Sequence, residues 1–362
     1  MRKIRRHKNK KHQRVLIIGS LALLLFLCVG YAAFQTNLSI SAKGNIKEKS
    51  RVIQAWSSTD QTDFHSDFYR ENIVSAEFLD NADVPDNATE SWNVSEDKEN
   101  GGVMAWVVPN SSDSTKYDLY IGAKGGVIAN EDSSYLFGGN DSAYFSALLK
   151  INFQENFDTS NVVNMSHMFE NCRSITSLDL SSFNTNDVIN MSTMFKNMTT
   201  LTDININSFN TLNVKSMNNM FQNLYVIEYL DLSGFRTQNV TDMSFMFCGT
   251  EGLTGLNIQN FDTSNVTNMY SMFNDTGLEE INLNQFDTSK VINMQNMFSN
   301  SKTKTINLCS FDTKNVTNMG WMFTATPNLK AVYVGENWVT NQANTTGMFS
   351  SSGVSSVTTG QC

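Results

Sequence analysis

The sequence is poor in cysteine, histidine and proline: its 362 residues include five cysteines, four histidines and three prolines. The cysteines share no repeat position and no zinc-ligand spacing, so neither a zinc site nor a disulfide framework is indicated, although a bridge between Cys309 and Cys362 is conceivable. The sequence also lacks serine-nucleophile, zinc-protease, Walker and dinucleotide-binding motifs. We therefore expect a protein that is not an enzyme and that needs neither a cofactor nor a catalytic metal.

Positive charge is scarce after the first 14 residues. This basic segment holds eight of the 26 Lys and Arg residues and no acidic residue, which leaves 18 basic against 35 acidic residues in the rest of the chain, a net charge of 18 − 35 = −17. Such an excess of negative charge argues against nucleic acid or an anionic membrane as a ligand of residues 15–362.

An uncharged run of twenty residues, 15–34, follows the basic segment. This length suffices to span a bilayer, and the preceding positive charges predict a cytoplasmic N-terminus. We expect a transmembrane signal anchor and an extracellular C-terminal region; the alternative is a cleaved signal peptide and a secreted protein. Residues 1–14 are then a cytoplasmic tail and residues 35–50 a tether.

A pattern of the form F-x-T-x-x-V-x-x-M-x-x-M-F occurs seven times, and its first phenylalanines are Phe157, Phe183, Phe209, Phe235, Phe261, Phe286 and Phe311. The period is therefore 25 or 26 residues, which is typical of a solenoid whose repeats bury their apolar faces by stacking. Each copy is preceded by an apolar-polar-apolar triplet such as Leu178-Asp179-Leu180, the pattern of a half-buried strand. The Val, Met, Met and Phe spacing places these side chains on one face of a short helix.

These elements predict a leucine-rich-repeat-like α/β solenoid, with one strand and one short helix per coil, over residues 131–349. The methionines, two in every full repeat, are expected to form a buried ladder rather than a copper site or a peptide groove. The Asn and Asp residues before the first methionine are expected to form a structural amide row; calcium binding is the less favoured alternative. Residues 51–130 interrupt the pattern and are predicted to cap the first coil, with sugar binding by their tryptophans as an alternative, and residues 350–362 are predicted to be a C-terminal tail.

The repeat copies FDTSNVVNMSHMF, FDTSNVTNMYSMF and FDTKNVTNMGWMF, together with the segment AWVVPN…YDLYIGAKGGVIANEDSSYLF, resemble the BspA-like leucine-rich-repeat surface proteins of bacteria. The resemblance covers roughly residues 51–349 and implies a cell-surface protein that adheres to host matrix or to other cells. It carries no binding residues over to this chain, because that role belongs to no fixed set of positions. The chain also ends at Cys362 without the LPxTG-type sorting signal of wall-anchored proteins.

A ligand is most simply placed on the outward side of the strands, since solenoids commonly bind partners on such a face. The partners expected are a host matrix protein, a glycan or a neighbouring cell, and nucleic acid is not expected. The predicted ligand-binding residues are Asp179, Asn205, Tyr229, Asp231, Asn257, Asn282, Asn307 and Tyr333. Two alternatives remain: a structural spacer or cell-envelope component that presents residues 51–130, and, more remotely, a polysaccharide- or peptide-hydrolysing cap domain.

Overall fold

The computed structural model describes residues 40–41, 45–46, 49–58, 61–140, 142–360 and 362, which fall into two units, Met1–Ser50 and Arg51–Cys362. In the first unit, strand β1 (Ile40–Ser41) pairs antiparallel with β2 (Asn45–Ile46). The predicted cytoplasmic tail and transmembrane segment, residues 1–34, lie outside the described residues. Within the described part of the chain, none of the helices has the length and apolar character needed to cross a membrane.

The second unit begins with a mixed five-stranded sheet. Helix α1 (Asp67–Asn72) precedes the strands β3 (Ile73–Leu79), β4 (Glu90–Asn93), β5 (Met104–Pro109) and β6 (Tyr117–Gly122). The strand order is β4-β5-β6-β3-β8, in which β8 (Lys150–Asn152) comes from the chain beyond residue 130. In addition, β7 (Val127–Ile128) pairs in parallel with β9 (Phe157–Asp158). Shared strands therefore join residues 51–130 to the first coil.

The repeats contribute one short strand each, and the strands that pair with one another do so in parallel. Most of them begin one residue before the predicted apolar triplet. The strands are β10 (Ser177–Asp179), β11 (Asp203–Asn205), β12 (Tyr229–Asp231), β13 (Gly255–Asn257), β14 (Glu280–Ile281), β15 (Thr305–Leu308), β16 (Ala331–Val334) and β17 (Thr358–Thr359). The last of them lies in the segment predicted to be a C-terminal tail.

The prediction of a short helix in each coil is wrong. The Val-x-x-Met-x-x-Met-Phe segments consist of turns, and α1 is the one helix among the described residues. The residue directly before the second methionine has a positive φ in every copy, for example +59° at His167 and +63° at Thr193, and a right-handed helix cannot contain that conformation. The same apolar spacing thus directs its side chains inward without a helix.

Hydrogen bonds between coils explain why turns replace the helix. In one coil the amides of Asn219 and Phe221 donate to the carbonyls of Ser244 and Met246 in the next coil, while the intervening Met220 amide bonds within its own coil. Alternate amides therefore join each coil to its successor, which an isolated helix, whose bonds are internal, would not do.

The core consists of side chains stacked in register. All the methionines of the Met-x-x-Met-Phe segments in the seven copies are fully buried, as the sequence predicts. Next to them, successive phenylalanine rings stack with centroids 5.3 to 6.3 Å apart, in the series Phe137, Phe169, Phe195, Phe221, Phe247, Phe273, Phe298, Phe323 and Phe349. One continuous apolar column therefore runs through the repeats.

Two polar rows complete the coils. The buried repeat threonines join neighbouring coils: the Thr211 hydroxyl donates to the Arg236 carbonyl over 2.9 Å and accepts the Arg236 amide over 2.7 Å. The predicted amide row is half-buried rather than buried, and its members accept the amide two residues ahead, as Asn190 does from Ser192 over 3.0 Å. Both rows satisfy backbone groups that stacking would otherwise leave unpaired.

The two ends of the solenoid differ. At the first coil, His65 Nε2 lies 3.0 Å from the Leu136 carbonyl oxygen, and Asn130 donates to the Ile53 carbonyl. At the last described coil, the amides of Thr345, Gly347, Phe349 and Ser351 donate to no backbone carbonyl of the described residues, although the same positions donate to the next coil in every other coil. A disulfide joins Cys309 to Cys362, with 5.6 Å between their Cα atoms.

Candidate functional site

The outward side of the repeat strands, here called the sheet face, brings the predicted binding residues together. Strand register places Asp179 beside Asn205, Asp231 beside Asn257, and Asn307 beside Tyr333. Asn282 follows β14 directly, and Tyr229 lies in the neighbouring row opposite Gly255. The eight residues are exposed or half-buried. That they bind a ligand remains a prediction.

The aspartates of the sheet face are held by hydrogen bonds within the protein. Asp179 Oδ1 accepts the Ser181 amide over 3.0 Å and the Asn205 side-chain amide over 2.9 Å. The backbone bond from Ser181 is the main cause that lowers the pKa of Asp179, and the Ser233 amide lowers the pKa of Asp231 in the same way. Both carboxylates are therefore ionised at neutral pH and fixed in direction.

The sheet face is not hydrogen-bonded uniformly. Among the described strands, β10 pairs with β11, β12 with β13, and β14 to β17 with one another, while these groups are not paired to each other. A groove of ≈ 620 Å³ lies between β8 and β10, and a second one of ≈ 640 Å³ lies between β13 and β14. We call them the first groove and the second groove.

The two grooves differ in charge. The first groove is lined by Asp179 and Glu155 among amides and serines. The second groove has no ionisable side chain other than the phenol of Tyr229. Its other polar lining residues are Asn257, Gln259, Asn282, Asn284 and Gln285. The first groove therefore favours a cationic group, whereas the second favours an uncharged one.

Sequence reasoning missed three polar residues that line the second groove, Gln259, Asn284 and Gln285, and also missed Gly255, the strand partner of the groove residue Tyr229. The signal for Gly255 was available, because glycine inside a strand often marks a close approach of another group. A Cβ atom at Gly255 would lie 2.7 Å from Cδ2 of Tyr229, so the ring lies against the backbone of the neighbouring strand. The other three follow strands, and only the stacking of coils brings them together.

The tryptophans of residues 51–130 are engaged in packing. Trp56 packs against Tyr135 in a tilted contact with centroids 4.6 Å apart, Trp92 meets Tyr69 edge-on at 5.0 Å, and Trp106 is buried. None of these three rings is exposed. Tyr229 of the sheet face, which is 59% exposed, is therefore a more accessible aromatic platform than these tryptophans.

Asp63 and His65 form the one buried Asp–His pair among the described ion pairs. Nδ1 of His65 lies 3.0 Å from Asp63 Oδ1, and its Nε2 lies 3.0 Å from the Leu136 carbonyl oxygen. Burial alone would raise the pKa of Asp63, but the hydrogen bonds and charge of His65 outweigh it, so the pKa lies below its usual range. Both ring nitrogens are occupied and both residues are buried, so the pair joins the cap to the first coil.

Metal-ligating side chains are dispersed. In residues 49–58, 61–140, 142–360 and 362, His, Cys, Asp and Glu do not form a group of three or more that could hold a metal ion. His167 and Glu170 come close to a ligand pair, 2.6 Å apart, but Lys196 occupies the other carboxylate oxygen at 3.0 Å. This cluster is an ion-pair network on the side of the coils.

Comparison with known proteins agrees with the repeat architecture. No curated protein matches the chain. Two consecutive stretches, residues 140–254 and 251–357, each match the family described as Mycoplasma protein of unknown function, DUF285. Together they cover residues 140–357, more than half of the chain and nearly all of its coils. The chain therefore belongs to the DUF285 family of repeat proteins.

Proposed function

We propose that this chain is a bacterial cell-surface protein, similar to the BspA-like proteins, that adheres through its sheet face to host matrix, to glycans or to other cells without catalysing a reaction. The observation that carries the proposal is the sheet face itself. Polar side chains lie side by side along successive parallel strands, open to solvent and fixed by bonds such as Asn205 to Asp179. Repeated, rigid display of this kind suits weak multivalent contacts.

The surroundings of the sheet face support the same function. The residues after position 14 carry a strong negative charge, which keeps such a domain soluble and disfavours anionic ligands. The uncharged run at residues 15–34 would anchor the protein to the cell membrane. The enclosed Asp63–His65 pair leaves no accessible general base there, which agrees with a non-catalytic role.

A structural spacer is the second candidate function, and the continuous phenylalanine column favours it. Such a column makes a stiff rod, as a structural spacer or cell-envelope component that presents residues 51–130 requires. However, β8 completes the sheet of residues 51–130, so that block cannot be tested as an isolated fragment. The two functions are better separated by substitutions on the intact chain.

Binding of the full-length protein, purified in mild detergent, to immobilised host-matrix proteins and to a glycan array tests adhesion. The face variant carries Asp179→Asn, Tyr229→Ala and Asp231→Asn, and the two asparagines keep an Oδ1 acceptor for the amides of Ser181 and Ser233. We expect it to melt like the parent and to lose at least about tenfold in affinity, as removal of an aromatic anchor commonly does.

A matched control variant neutralises two aspartates and truncates one large exposed side chain elsewhere on the coils, with Asp187→Asn, Leu212→Ala and Asp262→Asn at exposed positions. It should bind like the parent. Equal binding by the parent and both variants would place the site away from the sheet face. No binding by the parent to any surface would favour the spacer.

A further inference from the structure

The second groove combines an exposed aromatic ring with a surface shaped to receive it. Tyr229 is opposite Gly255 in the β12–β13 pair, and it is 59% exposed. The contact with Gly255 would be impossible with another side chain there, because a Cβ would lie 2.7 Å from the ring. At the equivalent position the neighbouring strands carry Asp203 and Glu280. The glycine therefore lets the ring lie across the neighbouring strand, at the edge of the groove.

The polar lining of the second groove is made of amides. The Gln285 side chain donates to the Ile258 carbonyl over 2.9 Å, and Asn282 Oδ1 accepts the Asn284 amide over 3.1 Å, so these two are oriented by the protein. The side chains of Gln259 and Asn284 have no hydrogen-bond partner among the described residues, and both are exposed. Each carboxamide offers a donor and an acceptor, which are the two requirements of a hydroxyl group.

The lack of charged side chains in the lining of the second groove limits the class of ligand that it can bind. No carboxylate, ammonium or guanidinium group lines this groove. A charged ligand would lose hydration there without gaining an ion pair. A ligand with an apolar face for Tyr229 and several uncharged hydroxyls for the amides satisfies every lining group.

We propose that the second groove is a subsite for a neutral saccharide unit, with Tyr229 as its stacking platform and Gly255 as the residue that positions the ring. One sugar ring stacks on Tyr229, and its hydroxyls bond to Gln259, Asn284 and their amide neighbours. The inference rests on the proposed function, because it names the ligand class for one part of the sheet face. The groove volume, ≈ 640 Å³, is within the range of small-molecule sites.

Titration of the full-length protein with defined saccharides tests this site. The neutral probes are cellotetraose, maltotetraose, chitotetraose and lacto-N-tetraose, and the anionic probes are 3′-sialyllactose and a heparin tetrasaccharide, each up to about 10 mM, a range that includes weak binding. Saturable binding of at least one neutral probe is expected, with the anionic probes weaker.

Variants assign the binding to the groove. Tyr229→Ala should weaken binding at least about tenfold, and Tyr229→Phe, which keeps the ring, should bind like the parent. Gly255→Ala, which displaces the ring, should weaken binding in the same direction. Tyr225→Ala removes an exposed tyrosine that lines neither groove and is not among the predicted binding residues, and it should have no effect.

Three results would overturn the proposal: no neutral probe binds, binding ignores Tyr229→Ala, or the anionic probes bind more tightly. The failure of the saccharide subsite can be distinguished from the failure of the proposed adhesive function. If the parent binds matrix proteins and the face variant does not, while no neutral saccharide binds, adhesion stands and the saccharide subsite is wrong.

Discussion

Replacing Met243 by lysine is expected to lower the free energy of unfolding by more than about 4 kcal/mol, one of the largest effects a single substitution can have. Met243 is fully buried, as are Met217 and Met269 at the same position of the adjacent coils. A lysine ammonium there would lie among apolar side chains without an acidic partner, and an unpaired buried charge is very costly. Urea unfolding followed by circular dichroism measures the difference.

Met243→Leu is the matched control. It keeps nearly the same volume and polarity, so a cost below about 1.5 kcal/mol is expected. Because each coil contacts only its neighbours, the lysine variant should also unfold less cooperatively than the parent. The coils before and after the substituted coil would then unfold as two separate units. If Met243→Lys melts like the parent, the methionine ladder does not form the core.

Loss of the Cys309–Cys362 disulfide is expected to be the second large effect. The two cysteines are 53 residues apart, and a closed loop of that length restricts the unfolded chain by about 4 kcal/mol in the chain-entropy account. The loop includes β16 and β17, so unfolding should begin in the last coils. Thermal melting with and without a thiol reductant measures the effect.

The double variant Cys309→Ser with Cys362→Ser separates the disulfide from other effects of the reductant. It should melt below the oxidised parent and should not respond to the reductant. The buried cysteines Cys172 and Cys248 are unpaired and remain in both proteins. A parent whose melting temperature is unchanged by reduction would show that the bridge does not stabilise the chain.

The strands and the apolar ladder could be predicted because both follow from periodicity. An alternating triplet such as Leu230-Asp231-Leu232 directs its side chains the same way in every coil, so repeating it fixes the strands and the outward row together. In the structure, most repeat strands begin one residue before the predicted triplet, as β10, β12 and β15 do.

The helix could not be told from stacked turns by apolar spacing alone. Apolar residues at Val162, Met165, Met168 and Phe169 point inward in either conformation. A sequence signal for turns did exist two residues after each Met-Phe, where Asn171, Asn197 and Asn223 adopt positive φ and Gly249 does so in the next copy. Asparagine and glycine are the residues that tolerate this conformation best.

The grooves depend on which neighbouring strands are hydrogen-bonded, and every repeat has nearly the same sequence pattern. Nothing in the triplets around Leu256 and Ile281 predicts that β13 and β14 remain unpaired while β14 and β15 pair. Repeat length does not predict the pairing either, because β11 and β12 are unpaired across a 26-residue step whereas β14 and β15 pair across a 25-residue step. The predicted row was therefore accessible from sequence, whereas the second groove was not.

Residue-resolved amide hydrogen exchange of the full-length protein measures whether backbone hydrogen bonds run from each coil to the next. In the last described coil, Met348, Ser350 and Ser352 bond within the coil, whereas the amides of Gly347, Phe349 and Ser351 have no backbone acceptor among the described residues. We expect the exchange rate to alternate along this segment, with slow exchange at the amides of Met348, Ser350 and Ser352 and fast exchange at those of Gly347, Phe349 and Ser351. In the preceding coil, both Trp321 and Phe323 should exchange slowly, because they donate to Thr346 and Met348. Equal protection of the Phe349 and Phe323 amides, which a helix in every coil would give, would contradict hydrogen bonding between coils.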